Sequence, residues 1–190
     1  MRSLFYRIGY GLLFVIFDIR FLSNLDLLPN FIGYLIIMSA LWSLRQQAPG
    51  FRNGMWAAGV LSLLSLPQIL HPIGLRLNEV DLGMTTNGEL AVVLVHGLLQ
   101  LFILTSICKG TYHLLIMRGL HDLASSLTAR WVFYFICSVY LLIVYPFALN
   151  IDIFSALLVG LVAALISIIM LILSFRSIGR ELSKPLGLEV

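Results

Sequence analysis

The sequence predicts an all-α fold, a polytopic transmembrane helical bundle of about six spans with a cytoplasmic amphipathic helix. Three observations predict it. Hydrophobic residues make up 60% of the chain and charged residues 11%, where a soluble domain is about half apolar and a quarter charged. Mean hydropathy is +1.01. Several nearly uncharged runs approach the ~20 helical residues that cross a bilayer core. With 190 residues in all, residues 1–190 read as a single transmembrane domain. The net charge of +3 then matters through where the charges sit. It carries no nucleic-acid signal, because apolar runs separate the basic residues.

The first span is expected at about 5–22. Its apolar run, Ile8 to Phe17, follows Arg2 and Arg7, and no small-residue cleavage site follows it, so it is expected to stay attached. Extending it to Leu22 takes in Asp18 and Arg20. Charges deep in hydrocarbon are costly, so these two belong near the outer end. The alternative is five spans, with this segment re-entrant or interfacial. Asn24 to Asn30 reads as a turn in which Asp26 caps the next helix and Pro29 opens it.

The second span is expected at about 28–44, followed by a link over Gln46 to Asn53 carrying Pro49, Gly50 and Arg52. The third, about 55–70, has Pro67 in its last turns. Gly54, Ala58 and Ser62 recur every fourth residue, a small face suited to close helix contact. The fourth span is expected at about 90–108. The segment after it, about 110–127, sets Leu114, Leu115, Met117, Leu120, Leu123, Ala124 and Leu127 at helical spacing against a polar face, the pattern of an interfacial helix. The fifth span is expected at about 131–149, with Pro146 near its end. The sixth, about 153–175, repeats Ala156, Gly160 and Ala164. No internal repeat is evident, so an inverted-repeat transporter is not expected.

Six spans sort the loops into two compartments. One holds Arg2, Arg7, Arg45, Arg52, Lys109, Arg118, Arg130, Arg176, Arg180 and Lys184, ten of the twelve basic residues. Basic residues near span ends mark the cytoplasmic side, so both ends of the chain are expected there. Trp42, Trp56 and Trp131 all fall at the same interface, where indole rings prefer to sit.

Few residues offer chemistry. His96 and Gln100 lie four apart in the fourth span and share a helix face. Thr105 follows further along. With Asp18 and Gln68, His96 and Gln100 form a candidate polar intramembrane cluster. Ionisable residues inside spans mark relays or substrate contacts, while interhelical polar pairs also simply hold bundles together. Both readings stay open. His71, His113 and His121 lack ligand spacing, and Cys108 and Cys137 are too few for a disulfide framework or a cysteine metal site. No metal, cofactor or catalytic set is expected. There is no HExxH, GxSxG, P-loop or dinucleotide fingerprint. Lys109, Arg118, Arg130, Arg176, Arg180 and Lys184 are candidate contacts for anionic lipid headgroups, and the same residues serve ordinary positive-inside anchoring.

Asp26-Leu27-Leu28-Pro29-Asn30-Phe31-Ile32-Gly33-Tyr34 resembles a stretch found in a family of small, uncharacterised multi-pass membrane proteins of Gram-positive bacteria. Lys109-Gly110 after a long span is a further echo. The resemblance implies a bacterial cytoplasmic membrane and no particular activity. Physically, Gly33 would allow close packing against the first span.

Three function classes follow. An accessory or scaffold protein would bind other membrane proteins, or itself, through small-residue faces such as Gly54–Ala58 and Ala156–Gly160–Ala164. A small carrier or channel subunit would use His96, Gln100, Gln68 and Asp18 as a polar path. An intramembrane enzyme would need a catalytic constellation that the sequence does not offer. The bilayer itself is the first expected partner.

Overall fold

In a computed structural model of the chain, residues 1–16, 20–21, 25–26, 30–66, 87–148 and 154–184 are described. Six helices account for nearly all of them: α1 (Arg2–Ile16), α2 (Asn30–Leu44), α3 (Pro49–Ser65), α4 (Asn87–Met117), α5 (His121–Ala148) and α6 (Phe154–Glu181). The only strand-like feature among the described residues is a two-residue antiparallel pairing, β1 (Arg20–Phe21) with β2 (Leu25–Asp26).

The helices close a ring in chain order. Each packs against its neighbours in sequence, and α1 packs against α6. Neighbours run antiparallel. Phe5 of α1 meets Phe175 of α6, with ring centroids 6.5 Å apart, and Gly9 faces Ile172. Gly59 of α3 faces Met38 of α2. Antiparallel order with an even number of helices brings Met1, the α2–α3 turn, the α4–α5 turn and Leu182 to one end. Among the described residues, that end collects most of the basic residues, with Arg20 of β1 an exception.

Among the described residues, three helices are long and apolar enough to cross a membrane, over Leu90–Met117, His121–Phe147 and Ser155–Glu181. A shorter apolar helix spans Asn30–Leu44. At 15 to 17 residues, α1 to α3 rise only about 22–26 Å. One apolar core runs through the ring. It includes Phe5, Ile8, Ile37, Leu41, Phe51, Leu61, Leu104, Leu127, Leu171 and Phe175.

Several boundaries differ from the sequence expectation, each for a local reason. The first helix does not continue to Leu22. It starts at Arg2, its described part ends at Ile16, and Arg20 and Phe21 already pair with Asp26 and Leu25. A helix carrying Asp18 and Arg20 through hydrocarbon would desolvate both charges. Asp26 is in that extended pairing, four residues ahead of Asn30, and so does not cap α2. The expected 46–53 link is mostly helix. Ala48 is the extended cap residue (φ −158°) and Pro49 opens α3. Proline suits a first turn because its fixed φ is helical and its missing N–H would have no partner there. The third helix ends at Ser65, and Pro67 lies outside the described residues.

The largest correction concerns residues 110–127. They form no separate surface helix. Instead α4 continues to Met117, turns, and α5 begins at His121. Gly119 takes φ +72°, a left-handed conformation that a side chain disfavours. Around it Gly119 N–H donates to Ile116 O at 3.0 Å and Leu120 N–H to Leu115 O at 2.9 Å. That is the paired bonding of a Schellman C-cap. The apolar residues that suggested a lipid-facing stripe are divided between two helices and the turn that joins them. Leu114, Leu115, Ala124 and Leu127 belong to the core.

Candidate functional site

Of His96, Gln100, Asp18 and Gln68, His96 is the one whose partner the structure identifies among the described residues. It stands on α4 and shares a hydrogen bond of 3.0 Å between its Nε2 and Tyr34 Oη on α2. The two rings meet edge to face, centroids 5.8 Å apart. Helices α2 and α4 are separated in the ring by α3, so this bond reaches behind α3. Tyr34 is 1% exposed. A buried phenol needs a partner for its hydroxyl, and the imidazole supplies it. On its other side α2 is held close to α1 at Gly33, next to Tyr34. A Cβ there would sit 2.8 Å from Gly11 O and 2.7 Å from Val15 Cγ2.

The rest of the expected cluster does not join this pair. Gln100 lies one turn along α4 and is half-buried. Asp18 and Gln68 lie outside the described residues, as does His71. Thr105 accepts a hydrogen bond from Trp131 Nε1 at 3.3 Å and so links α4 to α5. His113 and His121 are exposed. Cys108 and Cys137 are buried free thiols. Tyr34 was overlooked in the sequence because its ring sits in an apolar run.

Gly54, Gly160 and Ala58 are packed within the chain. Gly54 lies against Leu41 and Ser106, and Gly160 against Tyr140 and Leu141. Ala58 is fully buried. Ala156 accepts a hydrogen bond from Tyr140 Oη at 3.2 Å, and Ala164 O accepts one from Ser167 Oγ at 2.7 Å.

The basic end divides into residues tied to protein atoms and residues that are not. The Arg130 guanidinium bridges to Ser174 Oγ and Met170 O on α6. Arg118 donates to Leu182 O at 3.4 Å. Lys184 pairs with Glu181 at 2.7 Å. Lys109 is exposed. Arg176 lies over the rings of Tyr6 and Tyr10 at 5.4 and 5.7 Å, and Arg2 lies over Tyr6 at 5.5 Å. Arg45 stacks on Trp42 at 3.8 Å. Trp42 and Trp56 are 54% and 67% exposed, as belt residues facing lipid would be. Sequence spacing could not join α1 to α6, so Arg2, Tyr6 and Tyr10 were not among the expected headgroup contacts.

Comparison with protein families, with curated proteins and with solved structures finds no match to this chain.

Proposed function

We propose that the chain is a multi-pass, single-domain protein of a bacterial cytoplasmic membrane. All six helices cross, the basic end faces the cytoplasm, and the protein acts as an accessory or scaffold subunit for other membrane proteins. The observation that carries this reading is the filled ring. Side chains from all six helices meet in one apolar core, and His96 is engaged with Tyr34. Both fit a rigid body better than a hydrated path. Among several exposed apolar faces, the outer face of α6 is the one assigned to a partner. There Val159, Val162 and Ile166 are exposed, and with Leu158 and Ala163 they line a shallow apolar groove of about 370 Å³. The lipid bilayer covers whatever a partner does not.

The test is extraction of the tagged protein in native lipid, followed by mass spectrometry of what accompanies it. A stoichiometric membrane protein that is retained by the wild type and lost with Val162→Trp is the expected result. Tryptophan keeps the face apolar, so insertion should survive. A lone protein with unchanged behaviour in Val162→Trp overturns the scaffold reading. The second reading, a small carrier, rests on the Tyr34–His96 pair. It requires a pH-dependent flux that His96→Ala abolishes while the fold persists.

A further inference from the structure

We propose that the α1–α6 seam at the basic end is a binding site for the phosphate of an anionic phospholipid. This rests on the membrane placement but not on the scaffold role. The seam is closely packed, with Gly179 against the first turn of α1. A Cβ at Gly179 would lie 2.9 Å from Phe5 Cβ and 3.4 Å from Arg2 O. The helix ends therefore hold one register. On α1, Arg2, Tyr6 and Tyr10 follow each other at four-residue spacing and share a face. On α6, Arg176 and Arg180 do the same. The two rows meet where Arg2 and Arg176 both lie over the Tyr6 ring.

Like charges gathered this closely call for an anion. Among the described residues none of Arg2, Arg176 and Arg180 has a carboxylate partner, and the nearby Glu181 is engaged by Lys184. Beside them opens a groove of about 470 Å³ lined by Met1, Arg2, Ser3, Tyr6 and Ser183. Guanidinium forks matched with hydroxyls are the donor set that suits phosphate oxygens. Stacking on tyrosine keeps the forks oriented before any ligand arrives. The site also continues into apolar surface. Leu173 and Ile169, three and seven residues before Arg176 on the same face of α6, are exposed. Free phosphate has no use for such a strip, but an acyl chain does.

The test is native mass spectrometry of the full chain in detergent, titrated with phosphatidylglycerol, phosphatidylcholine or inorganic phosphate. Phosphatidylglycerol should be retained over phosphatidylcholine. Each basic residue near a membrane surface contributes on the order of 1 kcal/mol. The double variant Arg2→Gln/Arg176→Gln should therefore weaken retention roughly tenfold or more, and Arg52→Gln, an exposed α3 arginine, should not. Arg176→Lys keeps the charge and spares the fold, and its loss of ring stacking should still weaken binding. Equal loss in Arg52→Gln, full retention in Arg176→Lys, equal retention of phosphatidylcholine, or displacement of the lipid by inorganic phosphate would each overturn the site. Absence of a protein partner in the extraction experiment would leave it standing.

Discussion

Helices α1 to α3 are 15 to 17 residues long and make the close backbone contacts, α1 with α2 and α3 with α4, whereas α4 to α6 run 28 to 31 residues and are joined to one another mainly by side chains. In the short half, Cβ atoms built at Gly11 and Gly33 would collide with the facing backbone oxygens at 2.8 Å. At Gly50 one would meet Ser106 O at 2.6 Å and Gly110 N at 2.7 Å. In the long half, Cβ atoms at Gly97 and Gly160 would meet only the side chains of Leu142, Tyr140 and Leu141. Polar bridges do the joining there: Trp131 to Thr105, Arg130 to Ser174, Tyr140 to Ala156. Lipid tails are as apolar as leucine, so burial alone does not hold helices together in a bilayer. Close packing and interhelical hydrogen bonds do. The two halves use these devices in different proportion, and length is the physical reason. A short helix has little contact surface and must approach closely, while a long one gathers enough contact at ordinary spacing.

The largest effect that would break this comparison is at the α1–α2 crossing. Gly33→Val should destabilise the protein by roughly 3 kcal/mol or more, because the clash is with backbone that cannot rotate away. The measurement is the midpoint of thermal unfolding in detergent, followed by fluorescence-detected size exclusion. A near-normal midpoint would show that α1 and α2 are not closely packed.

Gly50→Ala comes next, at roughly 2 kcal/mol, since even one methyl meets Ser106 O and Gly110 N. Gly160→Ala in the long half should cost clearly less, because Tyr140 and Leu141 can adjust. If the two alanine variants behave alike, the distinction between backbone and side-chain packing fails.

Tyr34→Phe sharpens the comparison from the polar side. It leaves the His96 imidazole without its hydroxyl partner, at a cost of about 1 kcal/mol. A double-mutant cycle with His96→Leu should show coupling. Additive losses would mean that the 3.0 Å contact contributes nothing specific.

Smallest of all, Ser174→Ala should cost about 0.6 kcal/mol, the usual size of an interhelical hydrogen bond in a membrane. Arg130 keeps Met170 O as an acceptor, so the loss is partial. A loss as large as that of Gly33→Val would reverse the order of the two halves.

Much of the fold was legible because its signals are local. Apolar run lengths located all six helices to within a few residues at some ends and a few turns at others. The errors fell where two local signals compete. Pro49-Gly50 reads equally as a turn and as a helix start, and only the extended Ala48 before it decides. Residues 110–127 look like one amphipathic helix until Gly119 breaks the run. The candidate cluster was legible only in part. His96 stood out as an ionisable residue in an apolar run, but its partner, 62 positions away, carries no charge.

The sequence by itself determined the class of this protein. Its composition demands helices long enough to bury their own backbone hydrogen bonds in an apolar surrounding, and ten of its twelve basic residues fall at the ends or in every second connection. The tertiary structure alone decided what meets what. Ring closure brings Arg2 and Tyr6 to Arg176, some 170 residues along the chain, and sets Tyr34 against His96 behind α3. No periodicity records such pairings. They arise from which helix faces can approach, and that depends on a missing Cβ here and a bulky ring there, read across helices rather than along one.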